Sequence, residues 1–368
     1  MKKILTPLFI FSIFLVACDA ALTPLPTDLT SDSATASSSA LTDIPLGAGY
    51  GVDGGWFELY FTDPTSPLAS QETGGPDGPL AEAIDAARLS VDVAIYSISL
   101  NSIRDALLHA KDRGVKVRMV MESDNLDSSD PQILIDAGIP IIGDRREGLM
   151  HNKFVVIDNI EVWMGSMNFT DAGAYADNNN LMRIRSVKVA EDYTKEFDEM
   201  FVDDKFGDNI VPQTPNPRVT INGTPMDVYF SPDDNVQASF VELINNAQKS
   251  IYFMAFSFTA DEIGEAVRAR AEEGVTVSGV METEQVKSNI GTEFDPFSQA
   301  KLDVFRDGNA GLMHHKVMII DESIVIFGSY NFTNSAETKN DENLIVIYNE
   351  GIAAQFIAEF QRVYQQAK

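Results

Sequence analysis

The chain repeats itself once, with a period of about 160 residues. Three segments of the first half have counterparts in the second half: Ser90–Ser97 in Ser250–Ser257, Gly114–Glu122 in Gly274–Glu282, and Gly148–His151 in Gly311–His314. A period this long is far above the 20–50 residues of solenoid repeats, so it indicates a duplicated domain. The fold must therefore be built from two similar halves, and the proline-containing stretch 206–226 is the predicted connector.

Each half alternates helix and strand signals. Ser90–Ser97 and Val115–Met121 are rich in β-branched and apolar residues, and a helical segment ending before Gly114 lies between them. The last segment of each half carries aromatic residues four apart, which places them on one helix face and predicts a core position: Tyr193, Phe197 and Phe201, then Phe356, Phe360 and Tyr364. This alternation predicts an α/β fold with a mixed sheet in each half.

The residues that carry chemistry recur at the same spacing in both halves. His151, Lys153, Asp158, Ser166 and Asn168 form the first set, with 17 residues from the histidine to the asparagine. The second set keeps that spacing: His314, Lys316, Asp321, Ser329 and Asn331.

Strand geometry brings each set together. Residues two apart on a strand point to the same face, so each histidine and its lysine project together. Asp158-Asn159 and Asp321-Glu322 are turn-like and reverse the chain, so the returning strand brings serine and asparagine back beside them. An imidazole, an ammonium, an amide and a hydroxyl in one patch suit an anionic, oxygen-rich group.

These residues form the HxKxxxxD and GSxN signatures of the phospholipase D superfamily, which the chain resembles over about residues 57–368. The second half is similar to the bacterial nuclease-like and cardiolipin-hydrolase-like branch, through Phe230-Ser231-Pro232 and Asn331-Phe332-Thr333 to Asn343. The resemblance implies two α/β/α layered domains related by a pseudo-twofold axis, with the active site at their interface.

The resemblance also implies a mechanism. One motif histidine attacks phosphorus and forms a covalent phosphohistidine, while the other protonates the leaving oxygen and then activates water or an alcohol. Lysine and asparagine of each motif hold the phosphate, and no metal or other cofactor is needed. A lysine two residues from each histidine also disfavours a metal site, because it puts positive charge where a cation would bind.

The roles of the two histidines depend on their partners. In the family an acidic residue downstream often supports the motif histidine, and Glu342 stands 28 residues after His314, whereas Asn179 stands 28 residues after His151. A carboxylate favours the charged imidazolium, so His314 is the expected general acid and His151 the nucleophile. The assignment fails if the pairing crosses the interface, so that Glu342 serves His151.

Other polar residues have plainer interpretations. Asp158 and Asp321 are expected to orient turns, and Ser166 and Ser329 to supply supporting hydrogen-bond donors. His315 is expected to face outward from its strand, and His109 to lie on a helix surface.

The amino terminus has the features of an export signal. Lys2 and Lys3 precede an apolar run of fourteen residues, Ile4–Ala17, which is shorter than the roughly 20 needed to span a bilayer. Leu15-Val16-Ala17-Cys18 resembles the lipobox of bacterial lipoproteins, and Cys18 is the only cysteine. We expect a signal peptide at 1–17, a lipidated Cys18 and a disordered linker at 18–46, which anchor the exported protein to a membrane. Secretion with an unused cysteine is the alternative.

The predicted domains are 47–210 and 228–368, joined by a connector at 211–227. The chain carries 55 acidic and 27 basic residues, a net charge of −28, which disfavours a polyanionic partner such as nucleic acid. The favoured function is therefore a phosphodiesterase of the phospholipase D type acting on phospholipid. A surface nuclease and a catalytically silent binding lipoprotein are the alternatives. One chain supplies both histidines, so a monomer suffices for catalysis.

Overall fold

The computed structural model describes residues 41–207 and 211–368. Cys18, the predicted signal peptide and most of the predicted linker lie outside the described residues. None of the helices within 41–207 and 211–368 is long and apolar enough to cross a membrane.

The first half forms a nine-stranded mixed sheet in the order β1-β2-β3-β9-β8-β7-β4-β5-β6. Its strands are β1 Thr42–Pro45, β2 Gly49–Asp53, β3 Phe57–Thr62, β4 Ser90–Ile95, β5 Lys116–Met121, β6 Ile141–Gly143, β7 Lys153–Ile157, β8 Glu161–Gly165 and β9 Asn180–Arg185. Its α-helices are α1 Asp77–Ala86, α2 Asn101–Asp112, α3 Ser129–Asp136 and α4 Val187–Phe201, with short helical turns at Ala69–Gln71, Ser123–Asn125 and Ala172–Ala176. Strands β4, β5 and β6 are parallel, whereas the other neighbours are antiparallel.

The second half repeats this topology in an eight-stranded sheet of order β10-β11-β17-β16-β15-β12-β13-β14. Its strands are β10 Arg218–Ile221, β11 Thr224–Ser231, β12 Ser250–Ala255, β13 Thr276–Met281, β14 Asp303–Arg306, β15 Lys316–Ile320, β16 Ile324–Gly328 and β17 Glu342–Tyr348. Its helices are α5 Val236–Asn245, α6 Asp261–Glu272, α7 Thr283–Ser288, α8 Phe294–Gln299, α9 Asn334–Thr338 and α10 Glu350–Gln366. Two halves with mixed sheets confirm the predicted duplicated α/β fold.

One hydrophobic core joins the halves. Helices α4 and α10 lie between the two sheets, and their apolar faces share a continuous cluster with residues of both halves. The ring of Tyr193 on α4 lies 5.0 Å from that of Phe230 in the second half, and Phe61 of the first half lies 5.1 Å from Phe356 on α10. Separate outer cores pack α1 and α2 on the first sheet and α5 and α6 on the second. The aromatic repeats are core residues, as predicted, although Phe201 and Tyr364 are only partly buried.

Two predicted boundaries are wrong. Strand β1 lies inside the stretch predicted as linker and pairs with β2, because Leu41 and Ile44 pack against the cores despite their polar neighbours. The predicted connector 211–227 contains β10 and the start of β11, so the second half begins before residue 228.

Candidate active site

The two motif histidines are held by equivalent backbone contacts between the halves. The His151 N–H donates to the carbonyl of Asp341 at 3.0 Å, and the His314 N–H donates to the carbonyl of Asn178 at 3.0 Å. Short parallel bridges, Met150 to Asp341 and Asn178 to Met313, accompany these bonds. Each histidine therefore sits where its own strand begins and where the other half's last strand begins.

The side-chain pairing of the histidines crosses between the halves. Nδ1 of His151 lies 2.7 Å from Oε2 of Glu342, and Nδ1 of His314 lies 3.0 Å from Oδ1 of Asn179. The expectation that Glu342 supports His314 is therefore wrong. Sequence distance suggested a partner within one half, but the interface brings the start of β17 beside His151 instead.

The two motif lysines are fully buried and equivalent. The ammonium of Lys153 donates to the carbonyl of His151 at 2.8 Å, and that of Lys316 donates to the carbonyl of His314 at 2.7 Å. Each also lies over an aromatic ring, Lys153 over Tyr96 at 5.4 Å and Lys316 over Phe256 at 4.6 Å. A cation over a ring face is stabilised without losing its charge.

Asn168 and Asn331 have free side-chain amides. Neither amide forms a hydrogen bond with any residue that the structure describes, and the Oδ1 atom of each is buried without a partner. Buried polar groups without partners are rare in native proteins, so such groups mark places where a ligand can bind.

The remaining motif residues have structural contacts. The Ser166 hydroxyl donates to Asn179 Oδ1 at 2.8 Å, and the Ser329 hydroxyl accepts the backbone N–H of Asn343 at 2.9 Å. The carboxylate of Asp158 accepts the N–H groups of residues 88–90, and that of Asp321 accepts those of residues 248–250. Asp158 and Asp321 thus tie the hairpin turns to the starts of β4 and β12, as expected.

Burial favours the neutral forms of the histidines and lysines of the site. Burial lowers the pKa of His151 to about 4, although Glu342 opposes the shift, and lowers the pKa of Lys153 to about 7. Burial also lowers the pKa of His314 and of Lys316 well below the usual values, and Lys153 lowers both further by repulsion. A bound anion would relieve this repulsion, so the site is built to take negative charge.

Two aromatic residues of the site do not belong to the sequence motifs. Tyr96 lies edge-on to His151, with ring centroids 5.3 Å apart, and Phe256 lies edge-on to His314 at 4.7 Å. Both are only partly buried. The repeat could have identified them, because Tyr96 and Phe256 are aromatic residues at equivalent positions of the matching segments that end at Ser97 and Ser257.

His315 is not the outward-facing residue that strand alternation predicted. It is fully buried, with Nδ1 2.9 Å from Asn180 Nδ2 and Nε2 2.7 Å from Glu359 Oε1. The face of β15 that points away from the site is covered by α10 and by the first half. His109 is exposed on α2, as expected.

A cavity of about 300 Å³ opens beside Asn331. Phe256 and Ile290 supply its apolar surface, and its other lining residues are uncharged and polar: Ser257, Thr259, Gln285, Asn289, Thr333 and Ser335. The side chain of Ile290 is 98% exposed. No lysine or arginine lines this cavity.

The family model described as "Cardiolipin synthase, PLD-like domain" matches the chain twice, at residues 80–201 and 240–364. The chain belongs to this phospholipase D-like family. Both matches include one complete histidine, lysine and asparagine set, so the family assignment covers both halves of the site.

Known proteins agree with this membership. The chain is 31% identical over 129 residues to a mitochondrial cardiolipin hydrolase of Chlamydomonas reinhardtii, covering 35% of this chain and 57% of that protein. It is 34% identical over 128 residues to a phospholipase D of Rickettsia prowazekii, covering 35% of this chain and 62% of that protein. The chain thus spans about three fifths of these relatives. They support a phosphodiesterase-type function.

A solved structure supports the fold over most of the chain. The phosphatidylserine synthase of Haemophilus influenzae superposes with a TM-score of 0.60, covering 79% of this chain and 84% of that one. Its sequence identity is 14%, so the likeness concerns the fold alone.

Proposed function

We propose that the protein hydrolyses the head-group phosphodiester of a phospholipid, through a covalent phosphohistidine and without a metal ion. The observation that carries this proposal is the pair of equivalent sets at the interface. Each set offers a histidine with its Nδ1 atom occupied, a buried lysine and an unpaired asparagine amide.

In this proposal His151 is the nucleophile. Attack by a neutral imidazole on phosphorus leaves a positive charge on the ring, and the carboxylate of Glu342 at Nδ1 stabilises that charge. In the sequence analysis, the histidine beside the carboxylate was expected to be the general acid, and by that rule the crossed pairing would make His151 the acid. The need to stabilise the phosphoimidazolium carries more weight, because this charge forms during the reaction. His151 therefore remains the proposed nucleophile, on this new ground.

His314 then acts as the general acid and base. Nε2 of His151 forms a bond to phosphorus as the bond to the head-group oxygen breaks, and His314 gives its proton to that oxygen. A water molecule next gives a proton to His314 and attacks phosphorus, which releases His151 and phosphatidate. Because burial lowers the pKa of His314, the negative charge of the bound phosphodiester is needed to restore its proton.

The phosphate would lie between the two lysines and the two asparagines. Lys153 and Lys316 supply charge, and the amides of Asn168 and Asn331 supply hydrogen bonds to the equatorial oxygens. The two lysine ammonium groups are already held by the carbonyls of His151 and His314 before substrate binds, so they need little reorganisation in the transition state.

A phospholipid is favoured over nucleic acid on charge and on surface chemistry. Binding of nucleic acid depends on Lys and Arg along the backbone path, but the chain has a net charge of −28 and the cavity beside Asn331 has no basic residue. Phe256 and the exposed Ile290 give that cavity an apolar surface, which suits contact with a lipid. The relatives named above are themselves a cardiolipin hydrolase and a phospholipase D.

The membrane anchor is part of the same proposal. Acylation of Cys18 would hold the body beside its substrate, with the segment up to about residue 41 as a tether. Replacement of Cys18 by serine is expected to release the exported protein from the membrane fraction, and retention of the variant there would contradict the anchor.

The substrate test uses the compact unit Ser39–Lys368 in excess EDTA. Vesicles of phosphatidylcholine, phosphatidylethanolamine or cardiolipin are compared with single- and double-stranded DNA. His151→Ala is the inactive variant, and His109→Ala, on the surface of α2, is the matched control. Lipid turnover that His151→Ala alone abolishes supports the proposal. DNA cleavage without lipid turnover would make the protein a nuclease, and binding without any turnover would make it a silent module.

A further inference from the structure

Two adjacent residues of the first half bind two adjacent residues of the second half. Asn179 lies 3.0 Å from Nδ1 of His314, and Asn180 lies 2.9 Å from Nδ1 of His315. The same arrangement occurs on the other side of the interface, where Glu342 binds His151 and Asn343 binds Asn152 at 2.8 Å. Each motif histidine therefore has a neighbour in the chain that is also held across the interface.

His315 is the start of a partly buried network of hydrogen bonds that returns to Asn179. Its Nε2 contacts Glu359 on α10, and that carboxylate also accepts hydrogen bonds from Arg362 at 2.7 Å and from the Tyr50 hydroxyl at 2.7 Å. Arg362 in turn donates to the carbonyl of Thr62 at 3.2 Å. The Thr62 hydroxyl accepts the backbone N–H of Asn179 at 2.8 Å, which closes the network.

The hydrogen-bond partners fix opposite tautomers for the two adjacent histidines. Asn179 donates its Nδ2 to the carbonyl of Gly173, so its Oδ1 faces His314 and requires a proton on Nδ1 there. The carboxylate of Glu359 requires a proton on Nε2 of His315. Burial lowers the pKa of His315, so its Nδ1 is bare and accepts from the Asn180 amide.

We propose that His315 is a positioning residue for the hydrolysis described above. Through Asn180, and through Glu359, Arg362 and Thr62, it holds Asn179 against Nδ1 of His314. That contact leaves Nε2 of His314 facing the substrate in the tautomer that proton transfer needs. The expected effect of His315 on the reaction rate rests on the proposed function. The tautomers of His314 and His315 do not, because they follow from the hydrogen bonds alone.

The first half supplies an internal comparison for this role. Asn152 occupies the position equivalent to His315, and it both accepts from Asn343 and donates to Glu196 at 3.1 Å. An amide at this position can therefore make both hydrogen bonds. His315→Asn should keep the network, whereas His315→Leu fills similar space and makes neither bond.

The kinetic test compares these two variants in the full chain, using the phospholipid that the wild-type protein hydrolyses. His315→Leu is expected to lower kcat by up to about 10²-fold, the cost of a misplacement of about 1 Å, with KM changed little. Its pH profile should also shift, because His314 no longer has one fixed tautomer. His315→Asn should restore kcat to within a few-fold of wild type. Full activity of a folded His315→Leu, with an unchanged pH profile, would overturn the proposal.

A second measurement needs neither substrate nor variant. The chain has only four histidines, so the ring nitrogens can be assigned in a ¹⁵N-histidine NMR spectrum. His151 and His314 are expected to carry the proton on Nδ1, and His315 on Nε2. A proton on Nδ1 of neutral His315 would overturn the inference even if the protein hydrolysed no phospholipid. If the tautomers are as expected but the protein hydrolyses no phospholipid, the proposed function is contradicted and the hydrogen-bond arrangement is not.

Discussion

The Nδ1 atom of His151 lies 2.7 Å from Oε2 of Glu342, a residue that follows it by 191 positions and belongs to the other half of the chain. The two halves of this phospholipase D-like protein are therefore not independent catalytic units. Each supplies one histidine and also the residue that orients the histidine of its neighbour.

Removal of the charge on Glu342 should slow phosphohistidine formation. Glu342→Gln keeps the shape of the side chain but leaves no carboxylate to stabilise the phosphoimidazolium. We expect kcat to fall roughly 10²- to 10⁴-fold, the range for loss of a group that orients and stabilises a histidine. Steady-state kinetics with a phospholipid substrate measures this fall in kcat. Glu322→Gln, in the exposed turn after β15, is the control. An active Glu342→Gln enzyme would contradict the role.

The rate should depend on pH through the buried lysine and histidine. The value of kcat/KM follows the free enzyme, in which the pKa of His151 is about 4 and that of Lys153 is about 7. Below pH 4 the nucleophile is protonated, and above pH 7 the Lys153 ammonium loses the charge that attracts phosphate. Burial also lowers the pKa of His314, so the general acid loses its proton within the same range. We therefore expect kcat/KM to have a single maximum between about pH 4 and 7 and to fall on both sides of it. A rate that rises steadily to pH 9 would contradict the role of Lys153.

Stability should depend on an acidic cluster behind the first motif. Burial raises the pKa of Asp192 to about 6 and of Asp233 to about 7, and raises the pKa of Glu196 and Glu199. Raised carboxyl pKa values mean that the folded state holds more protons than the unfolded state. Ionisation of this cluster therefore lowers the free energy of unfolding as pH rises from about 4 through 7.

Glu199→Arg tests this cluster, because α10 has Arg362 at the equivalent position, three residues after Glu359. The variant should raise Tm at pH 8 by roughly 1–2 °C, which corresponds to about 1 kcal/mol in a protein of this size. The gain should be smaller at pH 5, where the cluster is protonated. Glu242→Arg, exposed on α5, makes the same change of net charge. An equal rise in Tm for Glu242→Arg would show that the change of net charge, and not relief of the acidic cluster, stabilises the protein.

Contact with a lipid surface should depend on Ile290, whose side chain is 98% exposed beside the cavity at Asn331. Ile290→Asp is expected to lower turnover of vesicle lipid by roughly 10- to 150-fold, which corresponds to the roughly 1.5–3 kcal/mol for burying such a side chain. Turnover of a monomeric short-chain phospholipid should be unchanged. Ile160→Asp, at the turn between β7 and β8, is the control. Equal loss on both substrates would indicate damage to the site.

The repeat and the motif spacing were enough to predict the duplicated α/β fold and the hairpins that carry Asp158 and Asp321. The contact between Glu342 and His151 could not be predicted, because the number of residues between two positions does not show which residues meet across the interface between the halves. The burial of His315 was missed for a related reason. Alternation along a strand predicts which face a residue occupies, but only the packing of α10 shows that this face is covered.

The predicted linker failed for a local reason. Its composition of Ser, Thr, Ala and Pro predicts disorder, yet Ile44 packs on the first half's outer core and β1 pairs with β2 over four residues. A short edge strand has too few residues to outweigh its polar neighbours in a composition window.

Trapping of the covalent intermediate tests the central claim most directly. The wild-type protein is mixed with a phospholipid that it hydrolyses, quenched within one turnover under conditions that preserve the phosphorus–nitrogen bond, and mapped by mass spectrometry. The proposed mechanism predicts a phosphatidyl group on His151 and none in His151→Ala. A phosphatidyl group on His314 would reverse the roles of the two histidines, and turnover without any covalent intermediate would contradict the mechanism.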